Sequence, residues 1–199
     1  MAEMLRRPDT PSQPPTRSLT PLVETSPCFT DQECARIIAE GMALPLAKGQ
    51  VTAHERAPDA RNSTVALFPP EPHYVWMIER LAQLVNQINR QHWGFDLVGS
   101  ERLQFSAYGP GEYYDWHMDL GSRDAFALRK ISISVLLNDP AEYEGGDLEI
   151  STGTTNRLAA RNKGAVILFP SYALHRVLPI TKGTRYSLVA WIVGNQPFR

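Results

Sequence analysis

The segment KISISVLLNDPAEYEGGDLEI, residues 130–150, contains two runs in which apolar and polar residues alternate. The first run is Ile131, Ser132, Ile133, Ser134 and Val135, and the second is Leu148, Glu149 and Ile150. Neighbouring side chains of a β-strand point to opposite faces, so this period of two predicts two strands, each with one face against a core. The NDP and GG sequences between the runs are typical of turns. The segment therefore indicates antiparallel β structure.

Further strands are predicted on both sides of this segment, and two helices are predicted before them. The same alternation appears at 103–108, and further strands are predicted around 165–169 and 185–193. Thr30 and Glu33 match a capping box that begins a helix, with Cys34, Ile37, Ile38 and Met42 on one face. A second helical stripe comprises Tyr74, Met77, Ile78, Leu81, Leu84, Val85 and Ile88. The sequence thus predicts a mainly β protein with supporting α-helices, arranged as an antiparallel sandwich or barrel backed by helices on one side.

The chain of 199 residues suits one domain with a short tail. Residues 1–20 are rich in proline, serine, threonine and arginine, which predicts a mobile tail. Residues 21–199 are then expected to form a single domain, with helical support at about 30–95 and the β core at about 97–194. The polar stretch 48–64 is interpreted as either a surface loop or a lid over a site.

Composition and charge exclude several classes of protein. The apolar fraction of 43% is that of a globular chain, and no apolar stretch is long enough to cross a membrane. A net charge of −1 gives no reason to expect a nucleic-acid partner. The first residues lack the apolar core of a secretory signal, and Cys28 and Cys34 are read as reduced thiols, so a cytoplasmic location is expected. The sequence does not fix an oligomeric state.

His117 and Asp119 lie two residues apart in the segment YGPGEYYDWHMD, residues 108–119. In an extended chain this spacing places an imidazole and a carboxylate on the same side, where both can bind one cation. His175 follows an apolar strand and a Pro-Ser turn and is a candidate third ligand. Two imidazoles and one carboxylate on one face form the facial triad of non-haem iron oxygenases. The alternative for His175 is a strand-end histidine that hydrogen-bonds the backbone.

Arg185 lies ten residues after His175 in the otherwise apolar strand GTRYSLVAWI. A guanidinium in such a strand requires an anionic partner, and its planar fork matches a carboxylate. Ser187 shares the face of Arg185 and can add a hydroxyl. The alternatives are a structural ion pair or an edge strand with Arg185 in solvent.

From about Leu103 to Trp191 the chain resembles the prolyl 4-hydroxylase-like branch of the iron(II)- and 2-oxoglutarate-dependent oxygenases, and is most similar to the bacterial PKHD-type hydroxylases. The resemblance rests on YGPG at 108–111 leading to HMD at 117–119, SVLLNDPAEYEGGDLEI at 134–150, KGAVILFPSYALH at 163–175 and VLPITKGTRYSLVAW at 177–191. It implies a double-stranded β-helix, the jelly-roll or cupin-like barrel, in which His117, Asp119 and His175 bind iron(II).

The resemblance also implies a binding site for the co-substrate 2-oxoglutarate. Arg185 would pair with its distal carboxylate, assisted by Ser187, and Tyr108 matches a tyrosine that hydrogen-bonds the co-substrate. Tyr114 matches another recurrent aromatic residue. Many prolyl hydroxylases have lysine where this chain has Arg185, so the resemblance does not imply a prolyl substrate.

The function implied by the resemblance is hydroxylation of a C–H bond by O2, with release of succinate and CO2 and with ascorbate as a further reductant. A peptidyl residue, a free amino acid or a related small molecule is the expected substrate. The segments 48–64 and 120–130 are expected to shape its pocket, together with Arg61, Tyr114, Trp116 and Trp191. The alternatives are a cupin-like metal enzyme that does not use 2-oxoglutarate and a non-catalytic binding module on the same barrel.

Overall fold

A computed structural model describes residues 20–49 and 60–198. Almost all of the predicted N-terminal tail and the central part of the polar loop, which includes His54, lie outside these residues. The α-helices of the described residues are α1 (Asp31–Ala43) and α2 (Val75–His92). The strands are β1 (Val23–Pro27), β2 (Ala47–Lys48), β3 (Arg61–Asn62), β4 (Thr64–Leu67), β5 (Gly99–Ser100), β6 (Gln104–Tyr108), β7 (Tyr113–His117), β8 (Arg129–Leu136), β9 (Tyr143–Gly145), β10 (Leu148–Ser151), β11 (Asn156–Leu158), β12 (Ala165–Pro170), β13 (His175–Val177), β14 (Ile180–Gly183) and β15 (Arg185–Val193).

The strands form two principal sheets in which neighbouring strands are antiparallel. The larger sheet has the order β1-β12-β8-β15-β6-β4-β2, and β5 extends it beside β15. The smaller sheet has the order β11-β10-β13-β7-β3, and β14 pairs with β9 in a separate two-stranded ribbon. The prediction of a mainly β protein with supporting helices is confirmed.

The larger sheet separates two apolar cores because successive residues of its strands point to opposite faces. In β8, Ile131, Ile133 and Val135 belong to the core that also contains the buried faces of α1 and α2. Leu136 belongs instead to the second core, to which the smaller sheet contributes Ile150. The second core therefore lies between the two sheets, and polar side chains on that side of β8 face the same interior.

The first helix begins as the sequence predicts, but it buries a different face near its end. The hydroxyl of Thr30 accepts from the Glu33 amide at 3.3 Å, and the Glu33 carboxylate accepts from the Thr30 amide at 2.8 Å. The buried residues are Cys34, Ile37 and Gly41, whereas Met42 is 44% exposed, so the prediction for Met42 is wrong. A Cβ at Gly41 would lie 2.4 Å from the Phe105 ring, because the helix backbone packs directly on that ring.

The second helix packs the predicted stripe on the larger sheet. Met77, Leu81, Val85 and Ile88 are its buried apolar residues, and they recur at the spacing of one helix face. The helices therefore support the larger sheet from the side opposite to the inter-sheet interior. In the two ranges that the structure describes, neither helix combines the length and apolar character that crossing a membrane requires.

Candidate metal centre

The structure brings His117, Asp119 and His175 together at one end of the smaller sheet. His117 and His175 are directly opposite each other in the β7–β13 pair, so both imidazoles project from the same face. The Nε2 atoms of His117 and His175 lie 3.8 Å and 3.6 Å from the two carboxylate oxygens of Asp119. The side chains of all three residues are at most 10% exposed. The chain thus places three metal-binding groups in one sheltered cluster, with one ligand atom from each within 4.8 Å of the others.

Backbone carbonyls orient both imidazoles towards this cluster. Nδ1 of His117 is 2.7 Å from the carbonyl oxygen of Asp115, and Nδ1 of His175 is 2.9 Å from that of Ala173. A carbonyl oxygen only accepts, so each Nδ1 carries the proton and each Nε2 keeps its lone pair. This is the arrangement that fixes the tautomer of metal-binding histidines.

The donor set fits a divalent transition metal such as iron(II). Bonds of about 2.1 Å at right angles would separate neighbouring ligand atoms by about 3 Å. The observed separations of 3.6 and 3.8 Å exceed this value by less than 1 Å, a difference that small side-chain rotations remove. Two imidazoles and a carboxylate on one side leave the opposite side of the ion open to other ligands.

Arg185 is buried without an acidic partner in the described part of the chain. It is 3% exposed, and no carboxylate of residues 20–49 or 60–198 lies within 4.0 Å of its guanidinium. Its Nη1 donates to Ser187 Oγ at 3.2 Å, and it is paired with Tyr108 across β15 and β6. The Tyr108 ring centroid lies 5.8 Å from the guanidinium carbon. A buried guanidinium without a counter-ion is costly, which makes this position suited to an anionic ligand.

Arg185 faces the same inter-sheet interior as the cluster of His117, Asp119 and His175. It lines a small cavity with Leu136 and Ile167 from the larger sheet and Leu148 from the smaller one. All three belong to the inter-sheet core. Phe169 of that core also contacts the metal cluster, since its ring centroid lies 4.6 Å from that of His175. A ligand in this interior would therefore meet both the guanidinium and the cluster.

A family model supports the same interpretation of the sequence. The 2OG-Fe(II) oxygenase superfamily model matches residues 103–193, which include the three clustered residues and Arg185. This chain is therefore similar to the 2OG-Fe(II) oxygenase superfamily over residues 103–193.

Several relatives of this chain carry the name PKHD-type hydroxylase. The relative from Picosynechococcus sp. is 39% identical over 90 residues, which are 45% of this chain and 41% of the relative. The chain therefore spans only about two fifths of that relative's length. PiuC of Pseudomonas aeruginosa is 28% identical over 176 residues, 82% of this chain and 74% of PiuC. The likeness to PiuC thus extends beyond residues 103–193.

A solved structure supports the fold. The prolyl hydroxylase from Trichoplax adhaerens, in complex with a peptide fragment of the hypoxia inducible factor oxygen degradation domain, superposes with a TM-score of 0.66. It shares 17% identity and covers 87% of this chain and 83% of its own. The expected double-stranded β-helix is confirmed.

Two of the predicted pocket residues lie next to the cluster of His117, Asp119 and His175. The Tyr114 ring stacks on the His117 ring, with centroids 3.4 Å apart. The Arg61 guanidinium lies over the Tyr114 ring at 4.7 Å, and its Nε donates to Ser63 Oγ at 2.7 Å. The two residues are paired across β3 and β7, so the predicted pocket residues Arg61 and Tyr114 occupy one side of the candidate site.

The two predicted tryptophans occupy different places. Trp116 precedes His117 in β7 and so points to the outer face of the smaller sheet, where the Arg176 guanidinium lies 4.6 Å from its ring. The structure therefore does not bring Trp116 to the interior, contrary to the sequence-based expectation. Trp191 is 9% exposed and shares the interior face of β15 with Arg185 and Ser187.

Sequence reasoning included Arg129, the first residue of β8, only within the segment 120–130 that was expected to shape the pocket, and gave it no role of its own. Its Nη1 donates to the carbonyl oxygen of Asp119 at 3.2 Å, and its Nε and Nη2 donate to the carboxylate of Glu101. A charged residue at the start of a predicted strand is usually solvated, so the sequence offered little reason to select it. The only available signal was its place beside an alternating apolar run.

Gly146 is expected to be necessary for the position of Arg185. Its φ is +67°, and a Cβ there would lie 2.2 Å from Ile180 Cδ1 and 3.1 Å from Arg185 Cδ. We expect Gly146→Ala to lower the free energy of unfolding by about 1–3 kcal/mol, because the backbone is strained and the methyl group crowds two buried side chains. Thermal or urea unfolding measures the loss, and a calorimetric titration is expected to show weaker 2-oxoglutarate binding.

Gly153→Ala is a matched control, since its φ is +94° and its Cβ would meet nothing within 4 Å. Equal 2-oxoglutarate affinity in the two variants would contradict the proposed packing on Arg185.

Proposed function

We propose that this protein is an iron(II)- and 2-oxoglutarate-dependent dioxygenase that hydroxylates a C–H bond and releases succinate and CO2. The observation that carries the proposal is the buried guanidinium of Arg185, which has no acidic partner among the described residues and faces the same interior as the His117, Asp119 and His175 cluster. A dicarboxylate that binds a metal at one end and this guanidinium at the other satisfies both groups. A cupin-like metal enzyme without 2-oxoglutarate would leave Arg185 without a role.

The residues of the chain would hold and orient the reactants. His117 and His175 would bind iron(II) through Nε2, because each Nδ1 proton is donated to a backbone carbonyl. Asp119 would supply the anionic ligand. When bound, iron(II) with 2-oxoglutarate and O2 supplies the oxidising chemistry, in which 2-oxoglutarate is decarboxylated and one oxygen atom is transferred to the substrate.

Arg185 and its neighbours would hold the distal end of 2-oxoglutarate. The guanidinium would donate to the distal carboxylate in a bidentate manner, with Ser187 and Tyr108 as the adjacent polar groups. Apolar side chains of the inter-sheet core would exclude water from this ion pair and so strengthen it: Leu136, Leu148, Ile167 and Ile180.

The substrate we propose is a peptidyl residue, a free amino acid or a related small molecule. The peptide complex of the Trichoplax adhaerens neighbour supports the first of these. Arg61 lies over Tyr114 beside His117, where it would meet an acidic group of the substrate. Trp191 would form part of the opposite wall.

Two further features of the proposal concern the cellular setting. A cytoplasmic location is consistent with the cysteines, since Cys28 and Cys34 are both free. Burial raises the pKa of the Cys34 thiol to about 11, so this thiol stays protonated and unreactive near neutral pH. Ascorbate is proposed as a reductant that keeps the iron in the ferrous state.

The decisive experiment is a turnover assay with iron(II), 2-oxoglutarate and a panel of peptides and amino acids. Succinate formation together with a substrate mass gain of one oxygen atom is expected. Succinate without a hydroxylated product would identify uncoupled turnover and would still exclude a non-catalytic binding module. Metal binding without any 2-oxoglutarate binding in a calorimetric titration would instead favour the cupin-like alternative.

A further inference from the structure

Arg129 connects a surface carboxylate to the backbone of the metal cluster. The residue is 7% exposed, and its Nε and Nη2 donate to the two carboxylate oxygens of Glu101, each at 2.6 Å. The remaining nitrogen, Nη1, donates to the carbonyl oxygen of Asp119 at 3.2 Å. All three guanidinium nitrogens therefore donate hydrogen bonds. One of these bonds is to the backbone of Asp119, whose side chain is the acidic ligand candidate.

Two aromatic rings hold the plane of this guanidinium. Its central carbon lies 4.0 Å from the Trp191 ring centroid and 4.5 Å from that of Phe126. A guanidinium that stacks on aromatic rings and forms a bidentate pair has little freedom to rotate. Lysine provides the same charge but neither the fork nor the stacking surface.

Asp119 needs such support because it lies beyond the end of its strand. β7 ends at His117, and His175 begins β13, so the two histidines are held by the strand pairing. Asp119 is held instead at its peptide unit, whose carbonyl accepts from Arg129 and whose following amide, that of Leu120, donates to the carbonyl of Ser171 at 2.8 Å. Both ends of the 119–120 peptide are thus hydrogen-bonded.

We infer that Arg129, oriented by Glu101, is a positioning residue of the metal centre, which fixes the Asp119 backbone so that its carboxylate meets the two imidazoles. The inference rests on the proposed function for the identity of the three ligands. Arg129 itself does not contact the metal, and it acts by restricting where the Asp119 carboxylate can lie. Loss of this restriction lowers metal affinity because ordering the ligand then accompanies binding.

If the Arg129–Glu101 pair were purely structural, its loss would lower thermal stability but not metal affinity. Arg176 provides a control for this alternative. Arg176 donates to Glu149 at 2.7 Å and lies 4.6 Å from the Trp116 ring centroid. It is adjacent to His175 but faces away from the interior. Removing Arg176 therefore deletes an ion pair and an aromatic contact near His175 without removing a hydrogen bond to the Asp119 backbone.

The test measures cobalt(II) binding to the full chain without 2-oxoglutarate, by calorimetry and by the visible absorption of the bound ion. We expect Arg129→Met to raise the Kd for cobalt(II) by about 10- to 100-fold and to alter the absorption spectrum. Arg129→Lys is expected to restore only part of the affinity. Arg176→Met is expected to change the Kd by less than about 2-fold, even where thermal unfolding shows a similar loss of stability.

Equal cobalt(II) affinities in the wild type and Arg129→Met would overturn the inference, as would an equal loss in Arg176→Met. If Arg129→Met does not fold, the Glu101→Gln variant tests the inference instead. This substitution removes the charge that orients Arg129 but keeps the shape of the side chain at 101. An increased cobalt(II) Kd in Glu101→Gln supports the inference, and an unchanged Kd overturns it. Because binding is measured without turnover, an inactive but cobalt-binding wild type would contradict only the proposed function.

Discussion

Asp119→Ala is expected to abolish succinate formation and to remove tight metal binding. The carboxylate is the only acidic group in the cluster, and its oxygens lie 3.6–3.8 Å from the two imidazole Nε2 atoms. Two neutral imidazoles alone neither balance the charge of a divalent ion nor complete the facial triad. We expect turnover to fall by about 10³-fold or more, which corresponds to about 4 kcal/mol of the barrier. Succinate release and cobalt(II) titration measure the two effects.

Asp115→Ala provides the control for this prediction. Asp115 is exposed and lies in the same strand as His117, and its backbone carbonyl, which accepts from His117 Nδ1, remains after the substitution. The control removes one negative charge close to the site but no ligand, so nearly unchanged turnover is expected. Wild-type turnover in Asp119→Ala would show that the metal ligands are assigned wrongly.

Arg185→Met is expected to weaken 2-oxoglutarate binding far more than it weakens metal binding. The substitution keeps an unbranched side chain of similar length, but under the proposed function it would leave the distal carboxylate of 2-oxoglutarate buried without a counter-ion. Removing one partner of a buried hydrogen-bonded charge pair costs about 2–5 kcal/mol, which predicts an increase in KM for 2-oxoglutarate of about 30-fold or more. The cobalt(II) Kd is expected to stay close to that of the wild type, because Arg185 is not a ligand.

Arg185→Lys separates the effect of charge from that of geometry. Lysine keeps the positive charge but lacks the planar fork, so an intermediate KM for 2-oxoglutarate is expected. Arg176→Met, which removes a guanidinium from the outer face next to His175, is expected to leave this KM unchanged. A KM in Arg185→Met equal to that of the wild type would mean that the co-substrate binds elsewhere.

The residues of the candidate site were accessible from the sequence because local spacing and chemistry constrain them. The His-x-Asp spacing already places His117 and Asp119 on one side of an extended chain, and an arginine in an apolar strand already favours an anionic partner over the alternative of an edge strand that exposes it to solvent. The register that puts His175 opposite His117 was not accessible. It depends on a bulge in β7 between Tyr114 and His117, and on pairing between strands that are distant in sequence.

The errors in sequence interpretation have physical causes that only the packed structure shows. Met42 fits the apolar face of α1, but the Phe105 ring packs on the helix backbone at Gly41 and leaves Met42 exposed. Trp116 lies next to a predicted ligand in sequence, and for that reason it points away from the ligand in a strand. The contact of Arg129 with Glu101 was not predicted, because the two residues are distant in sequence and neither belongs to a recognisable motif.

The position of the larger sheet between two cores has a consequence for how this chain tolerates change. Consecutive residues such as Ile133 and Ser134 belong to different environments, the first against the helices and the second towards the interior. We expect substitutions at the helix-side positions to change the thermal stability, and substitutions of the neighbouring polar residues to change which molecules fit in the interior. Alternate positions of a single strand therefore affect different properties, namely the stability of the fold and the choice of bound molecule. Stabilising substitutions on the helix side could then offset the stability lost when interior residues are changed to accept a new substrate.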